Sequence, residues 1–522
     1  MSFHLQYTLP LISQQEGGKF QDHQTLGNVI GHTDSLIIAQ AAQDFNGVSV
    51  VVTPDSQTAN RLEKALKQFS ALPVSVFADW ETLPYDNFSP HQDIISARLS
   101  ALFQLQQGNK QIFLLPINTL LQKLCPPDYL ANNVLLIKKG DRFSIDSLRN
   151  QLAKAGYRAV EQVLEYGEYA VRGALLDLFP IGAESPFRLD FFDDEIDSIR
   201  TFNTDSQRTI AEIDEINLLP AHEFPTDAAG IEHFRTKFRE QFGEIRREPE
   251  HIYQQVSKGI LNAGIEYWQP LFFEEMVSLF DYLPQNTLFI TFDGLQEKAE
   301  QFYQDASRRY ESRRVDPMRP LLAPEKLWFK VEEINRQLKG FARLSLTAEK
   351  VRKSAAKSNL NVAKLPPVAL NHSSKIPFAD FEAFRAKFNG RIVFSVESEG
   401  RRETLLDLLS PLALKPKQIP NLQAADLALS LLVSPLDQGF IIEDASGQNL
   451  AVICETDFLG ERVQQRRESD KRKTVNPDTL IRNLAELKIG QAVVHLEHGV
   501  GRYAGLTVLD AGGVKAEYLV LN

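Results

Sequence analysis

The sequence predicts a multidomain protein that mixes α/β with α+β architecture, and three observations predict it. The chain has 522 residues, enough for three to five domains at roughly 100–200 residues each. Two stretches far apart in the chain alternate apolar strand runs with helical spacing, the signature of parallel α/β layers. Between them, β-rich runs meet at Gly/Pro turns, which suits antiparallel hairpins.

The first α/β layer is expected over residues 1–121, with a return at about 330–345. SLIIAQAAQ (35–43) and SQTANRLEKALKQF (56–69) space their apolar residues as helices do, whereas VSVVVTPD (48–55) and QIFLLPI (111–117) are strand-like runs. Residues 122–213 read as an α+β domain, in which RGALLDLFP and FRLDFFDDEIDSIRTF are strands parted by a turn at IGAESP. Residues 214–329 read as a mostly helical domain around KFREQFGEIRREPEHIYQQVSKG. VRKSAAKSNLNVAKLPP (351–367) is polar, basic and ends in proline, and reads as a linker or exposed loop. A second small α/β domain covers 346–455, with strands RIVFSVES (391–398) and LAVICET (450–456) and the helix EGRRETLLDLL (399–409). Residues 456–488 read as a charged helical linker. Its run ERVQQRRESDKRK holds six basic and three acidic residues, and either stiffens a solvated helix through i,i+4 pairs or contacts nucleic acid or a partner. From Ile489 to Asn522 strand and turn alternate, with Gly499, Gly501, Gly505 and the Gly512-Gly513 pair as punctuation, which suits a small, strongly bent β module.

Composition excludes several classes. The net charge is −11, which argues against duplex DNA binding by the chain as a whole and leaves room for a local basic patch. Cys125 and Cys454 are far apart and form no CxxC, so a zinc ribbon, redox pair or disulfide framework is not expected. The opening MSFHLQYTLPLISQ lacks the basic and apolar regions of a signal peptide, and no run of 18 apolar residues follows, so a cytosolic protein with no membrane partner is expected.

A phosphate loop needs G-x-x-x-x-G-K-[ST], because backbone amides cradle the phosphates while the Lys and hydroxyl handle charge and Mg²⁺. EGGKF (16–20) lacks the hydroxyl and the first glycine. At the helix entry where an α/β nucleotide enzyme would place its loop, TLGNVIGHTDSLIIAQ puts His32, Thr33 and Asp34 in place of Gly-Lys-Thr, and Asp34 would set a negative charge against a triphosphate. No ATP hydrolysis is expected there. LDFFDDE (189–195) resembles an acid pair after a strand, but its antiparallel context suits a hairpin turn. His495 and His498 form H-x-x-H in a β pattern without a third ligand, so turn residues are expected rather than a metal site. Arg158 ends the AGYR turn and Arg172 follows Val171 at a strand entry; such arginines either pair with Glu165, Glu168 or a neighbouring acid, or offer bidentate pairing across an interface.

Three segments carry a resemblance: LPYDNFSPHQDIISARLSAL (83–102); AGYRAVEQVLEYGEYAVRGALLDLFP with FRLDFFDDEIDSIRTFN (155–203), followed by INLLPAHEF (216–224) and GIEYWQPLFF (264–273); and IGQAVVHLEHGVGRYAGL (489–506). The second resembles the domain of the excinuclease-B protein that docks on its excinuclease-A partner, and the third resembles a CarD-like module that binds RNA polymerase. Together they resemble the transcription-repair coupling factors. The resemblance implies a degenerate helicase-like α/β domain with inserted α+β and helical domains, a second small α/β domain, and a partial Tudor/CarD-like β-barrel at residues 489–522. It implies excinuclease-A docking through Arg158 and Arg172, with Arg188 and Phe179 as weaker candidates, Phe179 being better suited to core packing. It implies contact with the RNA polymerase β subunit through Leu496, with Tyr518 and Leu519 on the last strand; Leu496 is either an interface or a core position. In the family an ATP-driven, Mg-dependent DNA translocase follows, so ATP, Mg and most DNA contact are expected outside these residues. Residues 346–455 carry no motif of known role. Two other functions stand beside the adaptor reading: a repair ATPase, which the missing Gly-Lys-Ser/Thr opposes, and a CarD-like DNA-binding transcription regulator.

Overall fold

A computed structural model describes residues 23–243, 245–371, 374, 376–425, 428–434, 436–443, 447–459, 492–495, 499–511 and 514–521. The chain divides into two compact units, Met1–Glu461 and Arg462–Asn522, each taken by itself below. Among the described residues no helix is long and apolar enough to cross a membrane.

The first unit opens on a seven-stranded sheet in the order Lys357–Asn359, Gln24–Gly27, Ala342–Leu346, Thr287–Phe292, Val48–Thr53, Ile112–Pro116, Val74–Val76, with parallel pairing throughout. Parallel strands buried on both faces read as unbroken apolar runs, and VSVVVT does: Val48, Val50 and Val52 enter one apolar cluster while Val51 enters another on the opposite face. The helix Ser56–Phe69 starts where the Asp55 carboxylate accepts from the Thr58 amide at 2.7 Å. It packs through Ala59, Leu62, Ala65 and Leu66, one stripe at helical spacing.

Chain inserted between these strands forms a six-stranded sheet in the order Thr209–Ile213, Glu195–Phe202, Phe187–Phe192, Leu175–Phe179, Glu168–Arg172, Arg158–Ala159. All its pairings are antiparallel except that of Arg158–Ala159 with Glu168–Arg172. FFDDE forms the turn between two of its strands, with Asp193 at φ 52°. A third sheet runs Val362–Lys364, Phe440–Glu443, Asn449–Cys454, Gly390–Val396, Leu429–Val433, Lys417–Ile419, antiparallel at its first two pairings and parallel beyond. It shares an apolar core with the first sheet: Leu344 and Ile290 belong to the same cluster as Phe440 and Val452.

Two stretches differ from the sequence reading. The stretch read as mostly helical contains Thr287–Phe292, a strand in the middle of the first sheet; its six residues TLFITF are β-branched or bulky and apolar, and too few for a stable helix. The stretch read as a linker, 351–367, forms the edge strands Lys357–Asn359 and Val362–Lys364 of two different sheets. Its two apolar anchors, Leu360 and Val362, are buried, and their carbonyls accept from the Asn28 side-chain amide at 2.9 and 2.8 Å.

The recurring segments of the sequence meet in space. The Tyr267 hydroxyl donates to the Leu83 carbonyl at 2.8 Å. Ser89 Oγ donates to Glu266 at 2.8 Å and accepts from the Gly264 amide at 2.9 Å. Gln92 donates to the Ala221 carbonyl at 2.8 Å, and Arg98 Nε donates to Glu223 at 2.5 Å. LPYDNFSP, LPAHEF and GIEYWQP are thus three parts of one buried joint.

The second unit shows Ala492–His495, Gly499–Ala511 and Val514–Leu521 as a three-stranded antiparallel sheet. The basic run 461–473, the helix expected at PDTLIRNLAEL, His498 and the Gly512-Gly513 pair lie outside the described residues.

Candidate functional site: an arginine-flanked sheet edge

The strand Arg158–Ala159 ends the six-stranded sheet and is only two residues long. Arg158 pairs across to Glu168 in register, and their side chains form an ion pair in which Arg158 is 68% exposed and Glu168 only 7%. The Glu168 carboxylate also accepts from the amides of Leu164 and Glu165, each at 2.9 Å. Burial alone would raise this carboxyl; the two amides and the Arg158 guanidinium outweigh burial and hold it below the usual glutamate range. Glu168 therefore fixes one end of the 160–167 loop and anchors Arg158 while leaving most of the guanidinium in water.

Arg172 fixes the other end. It is exposed at the close of Glu168–Arg172, and its Nη2 donates to the Glu161 carbonyl at 2.6 Å. Between the two arginines the loop and strand present Leu164 (54% exposed) and Val171 (37%). Two guanidiniums with spare donors flanking exposed apolar side chains suit an acidic, partly apolar protein surface.

The other sequence candidates sit elsewhere. Arg188 makes a bidentate pair with Asp177 at 2.7 and 2.8 Å and lies over the Phe202 ring at 4.9 Å, so its donors are engaged inside the sheet. Phe179 is buried and packs on Tyr166 with ring centres 4.1 Å apart, in a small cluster with Val163, Ala170 and Phe202. Tyr518 and Leu519 lie on Val514–Leu521, in register with Thr507 and Leu506. Leu496 lies outside the described residues. The pairing of Arg158 with Glu168 is one of the two alternatives the sequence offered; Leu164 and Val171 were not among its candidates. The alternation of Glu168–Arg172 hides Val171, because the strand end twists both Val171 and Arg172 outward.

At the helix entry where a phosphate loop would be sought, the polar side chains pair with other protein groups. The helix Thr33–Asp44 follows the strand Gln24–Gly27, as a nucleotide fold would require. At its start, however, His32 is fully buried and bonds Asp437 through Nε2 at 2.7 Å. The Asp34 carboxylate accepts from the Ser35 amide at 2.5 Å and forms an ion pair with Arg61. Arg61 Nη1 also approaches His32 Nδ1 at 3.4 Å, so the ring lies between a guanidinium and a carboxylate. The hydrogen bond from His32 holds the Asp437 carboxyl below its usual range. Gly31, at φ +57°, sits so close that an added Cβ would meet the Gly439 carbonyl at 3.2 Å. Asp437 and Gly439, from the connection that enters Phe440–Glu443 of the third sheet, thus lie against this helix entry.

Three family models match in order: a UvrB interaction domain over residues 135–224, the MFD D3 domain over 384–458, and a CarD-like/TRCF RID domain over 487–522. A chain carrying these three modules is a multidomain protein of the repair-coupling class. The chain is 64% identical to the transcription-repair-coupling factor of Haemophilus influenzae over 96% of its own length and 44% of that protein's. It is 53% identical to that of Escherichia coli over 99% and 44%, and 25% identical to that of Bacillus subtilis over 96% and 43%. The chain is similar to the transcription-repair-coupling factors over the stretch it shares with them, and spans less than half of their length.

Proposed function

We propose that this chain is the recruiting and tethering part of a transcription-repair-coupling factor, with no catalysis of its own. Residues 122–213 dock the excinuclease-A protein, and residues 489–522 contact the RNA polymerase β subunit. The observation that carries the reading is the coincidence of the UvrB interaction domain match, 135–224, with the sheet whose edge presents Arg158 and Arg172. The first layer is a degenerate helicase-like α/β domain and the last unit the start of a Tudor/CarD-like barrel. ATP, Mg and most DNA contact belong to the translocase of the whole protein, which acts in the cytoplasm.

The direct test is a pull-down of the chain against purified excinuclease-A protein and RNA polymerase. Arg158→Ala or Arg172→Ala should weaken excinuclease-A binding by about 2 kcal/mol or more, the cost of truncating an interface hot spot. Both residues are exposed; Arg172→Ala should keep its melting temperature, whereas Arg158→Ala also removes a partner of the nearly buried Glu168 and should lower it slightly. Folded variants that bind at full strength would place the docking surface elsewhere.

A nucleotide test addresses the catalytic alternative. A ligand at 100 times its Kd stabilises a fold by about 2.7 kcal/mol. With His32, Asp34, Arg61 and Asp437 satisfying one another in the phosphate-loop position, Mg-ATP should leave the melting curve unmoved and no phosphate should be released. An ATP-induced shift that vanishes on mutating residues 31–34 would overturn this.

A further inference from the structure

Many cations of the first unit are spoken for by its own acids, as Arg61, Arg98, Arg188 and Arg200 illustrate. One segment departs from that pattern. Residues 349–364 hold five basic residues and one acid in a chain of net charge −11. Lys350, Arg352, Lys353 and Lys357 are all exposed, and none forms an ion pair among the described residues.

These four side chains are not on a loose tail. Ser354 and Lys357 form an antiparallel bridge, and the Asn359 side chain accepts from the Val351 amide and donates to the Val351 carbonyl, each at 2.7 Å. The Asn28 backbone amide donates to the Glu349 carbonyl at 2.9 Å. A Cβ on Gly27 would meet that same carbonyl at 2.7 Å and the Val351 amide at 2.9 Å, so glycine lets the segment lie flush against the sheet. The result is a short hairpin pinned to the edge of the seven-stranded sheet, with four cations held within one small area. Arg343 and His23 stand beside it. Partial burial, then the charges of Arg343 and Lys357, hold the His23 imidazole below its usual range, as a locally cationic edge would.

We propose that this hairpin, through Lys350, Arg352, Lys353 and Lys357, is a contact for the phosphate backbone of duplex DNA. A fixed cluster of unneutralised cations repels itself until a polyanion neutralises it. Residues 342–364 contain no aromatic side chain, so the platform on which single-stranded bases stack is missing. Among the described residues the hairpin itself carries no large exposed apolar side chain, so it offers an acidic peptide no apolar anchor of its own. Asn359 spends its side-chain amide on Val351 and is not free to read a base edge.

The test uses the whole chain and a fluorescent duplex of about 25 base pairs, read by anisotropy from about 50 to 200 mM salt. Four phosphate contacts predict a slope of log K against log salt of about −3.6, a roughly 100-fold loss across that range. The variant K350Q/R352Q/K353Q/K357Q should weaken binding at low salt at least tenfold and flatten the slope, with its melting temperature unchanged. A single strand of equal length should bind more weakly than the duplex. Affinity and slope unchanged in the variant would overturn the proposal. So would a loss confined to a second variant neutralising Arg466, Arg467, Lys471 and Arg472, or displacement of the duplex by polyglutamate at equal charge concentration, which would assign the hairpin to an acidic protein segment.

Discussion

Replacing Arg98 with alanine should destabilise the first unit by about 3–5 kcal/mol, the cost of leaving a buried charge without its partner. Arg98 has no exposed surface and Glu223 has 4%. The guanidinium Nε donates to Glu223 at 2.5 Å and Nη1 donates to the Ala78 carbonyl at 2.6 Å. It also lies over the Phe77 ring at 4.2 Å. The Glu223 carbonyl in turn accepts from Gln269 at 3.0 Å, so one arginine ties together the helix Gln92–Gln106, the LPAHEF segment and the GIEYWQP segment. Alanine would strand the Glu223 carboxylate and open space beside two aromatic rings. Lysine would keep the charge but lose the fork that reaches Glu223 and Ala78 at once. The chain's three tryptophans, Trp80, Trp268 and Trp328, lie close by: Trp80 and Trp328 pack on Tyr267, and Trp268 donates to the Pro320 carbonyl at 2.8 Å. Urea unfolding followed by tryptophan fluorescence therefore reads this joint. The double variant Arg98→Met with Glu223→Leu should recover much of the loss, because removing both charges removes the orphan. A single variant that unfolds at the wild-type urea midpoint would show that the pair contributes nothing.

That joint explains what the sequence disclosed and what it withheld. LPYDNFSPHQDIISARL, LPAHEF and GIEYWQPLFF are recognisable as strings, yet their chemistry is internal: Tyr85, Ser89, Gln92, Arg98, Glu223, Glu266 and Tyr267 spend their polar groups on one another or on buried backbone. No local pattern announces this, because the partners lie more than 100 residues apart. Local signals did declare several helices and the longer apolar strands. VSVVVT and the Asp55-capped helix follow from runs and caps that are complete within a dozen residues. Thr287–Phe292 escaped because a six-residue apolar run inside helical chain carries no periodicity of its own. The 351–367 stretch escaped because its strands are three residues long and gain their order from Asn28 and Asn359, not from apolar alternation.

The site candidates divide along the same line. Arg158, Arg172 and Arg188 look alike in sequence, and only tertiary partners separate them. Asp177, directly across the sheet in register with Arg188, takes both arms of that guanidinium, whereas Glu168 takes one arm of Arg158 and Glu161 offers Arg172 only a carbonyl. The replacement of Gly-Lys-Thr by His32-Thr33-Asp34 was legible; that Asp437, 405 residues away, pairs with His32 was not.

The second large effect should be a pH dependence that Glu266 imposes on the same joint. Glu266 is 7% exposed, accepts from its own backbone amide and from Ser89 Oγ at 2.8 Å, and has no ion-pair partner within 4.0 Å among the described residues. Burial pushes its carboxyl up from 4.5 to about 7; the Ser89 hydrogen bond and the nearby Arg319 charge pull the other way without prevailing, and Glu223 adds to the rise. An unfolded glutamate releases its proton near 4.5, and the native one holds it to about 7. Between those values the folded state binds the extra proton, so stability falls as pH rises, and the whole penalty is present above pH 7. A shift of this size corresponds to roughly 3 kcal/mol, and the deep burial leaves little solvent screening to reduce it. Glu266→Gln removes the titration while keeping a carbonyl oxygen for Ser89. Its new amide protons need acceptors, so the gain at pH 8 should be about 1–3 kcal/mol, with little change at pH 5. Tryptophan-monitored urea unfolding of the wild type and Glu266→Gln at pH 5 and pH 8 reads the difference directly. Parallel pH dependences in the two proteins would show that Glu266 is ionised in the native state at neutral pH and that the buried carboxyl finds its compensation elsewhere.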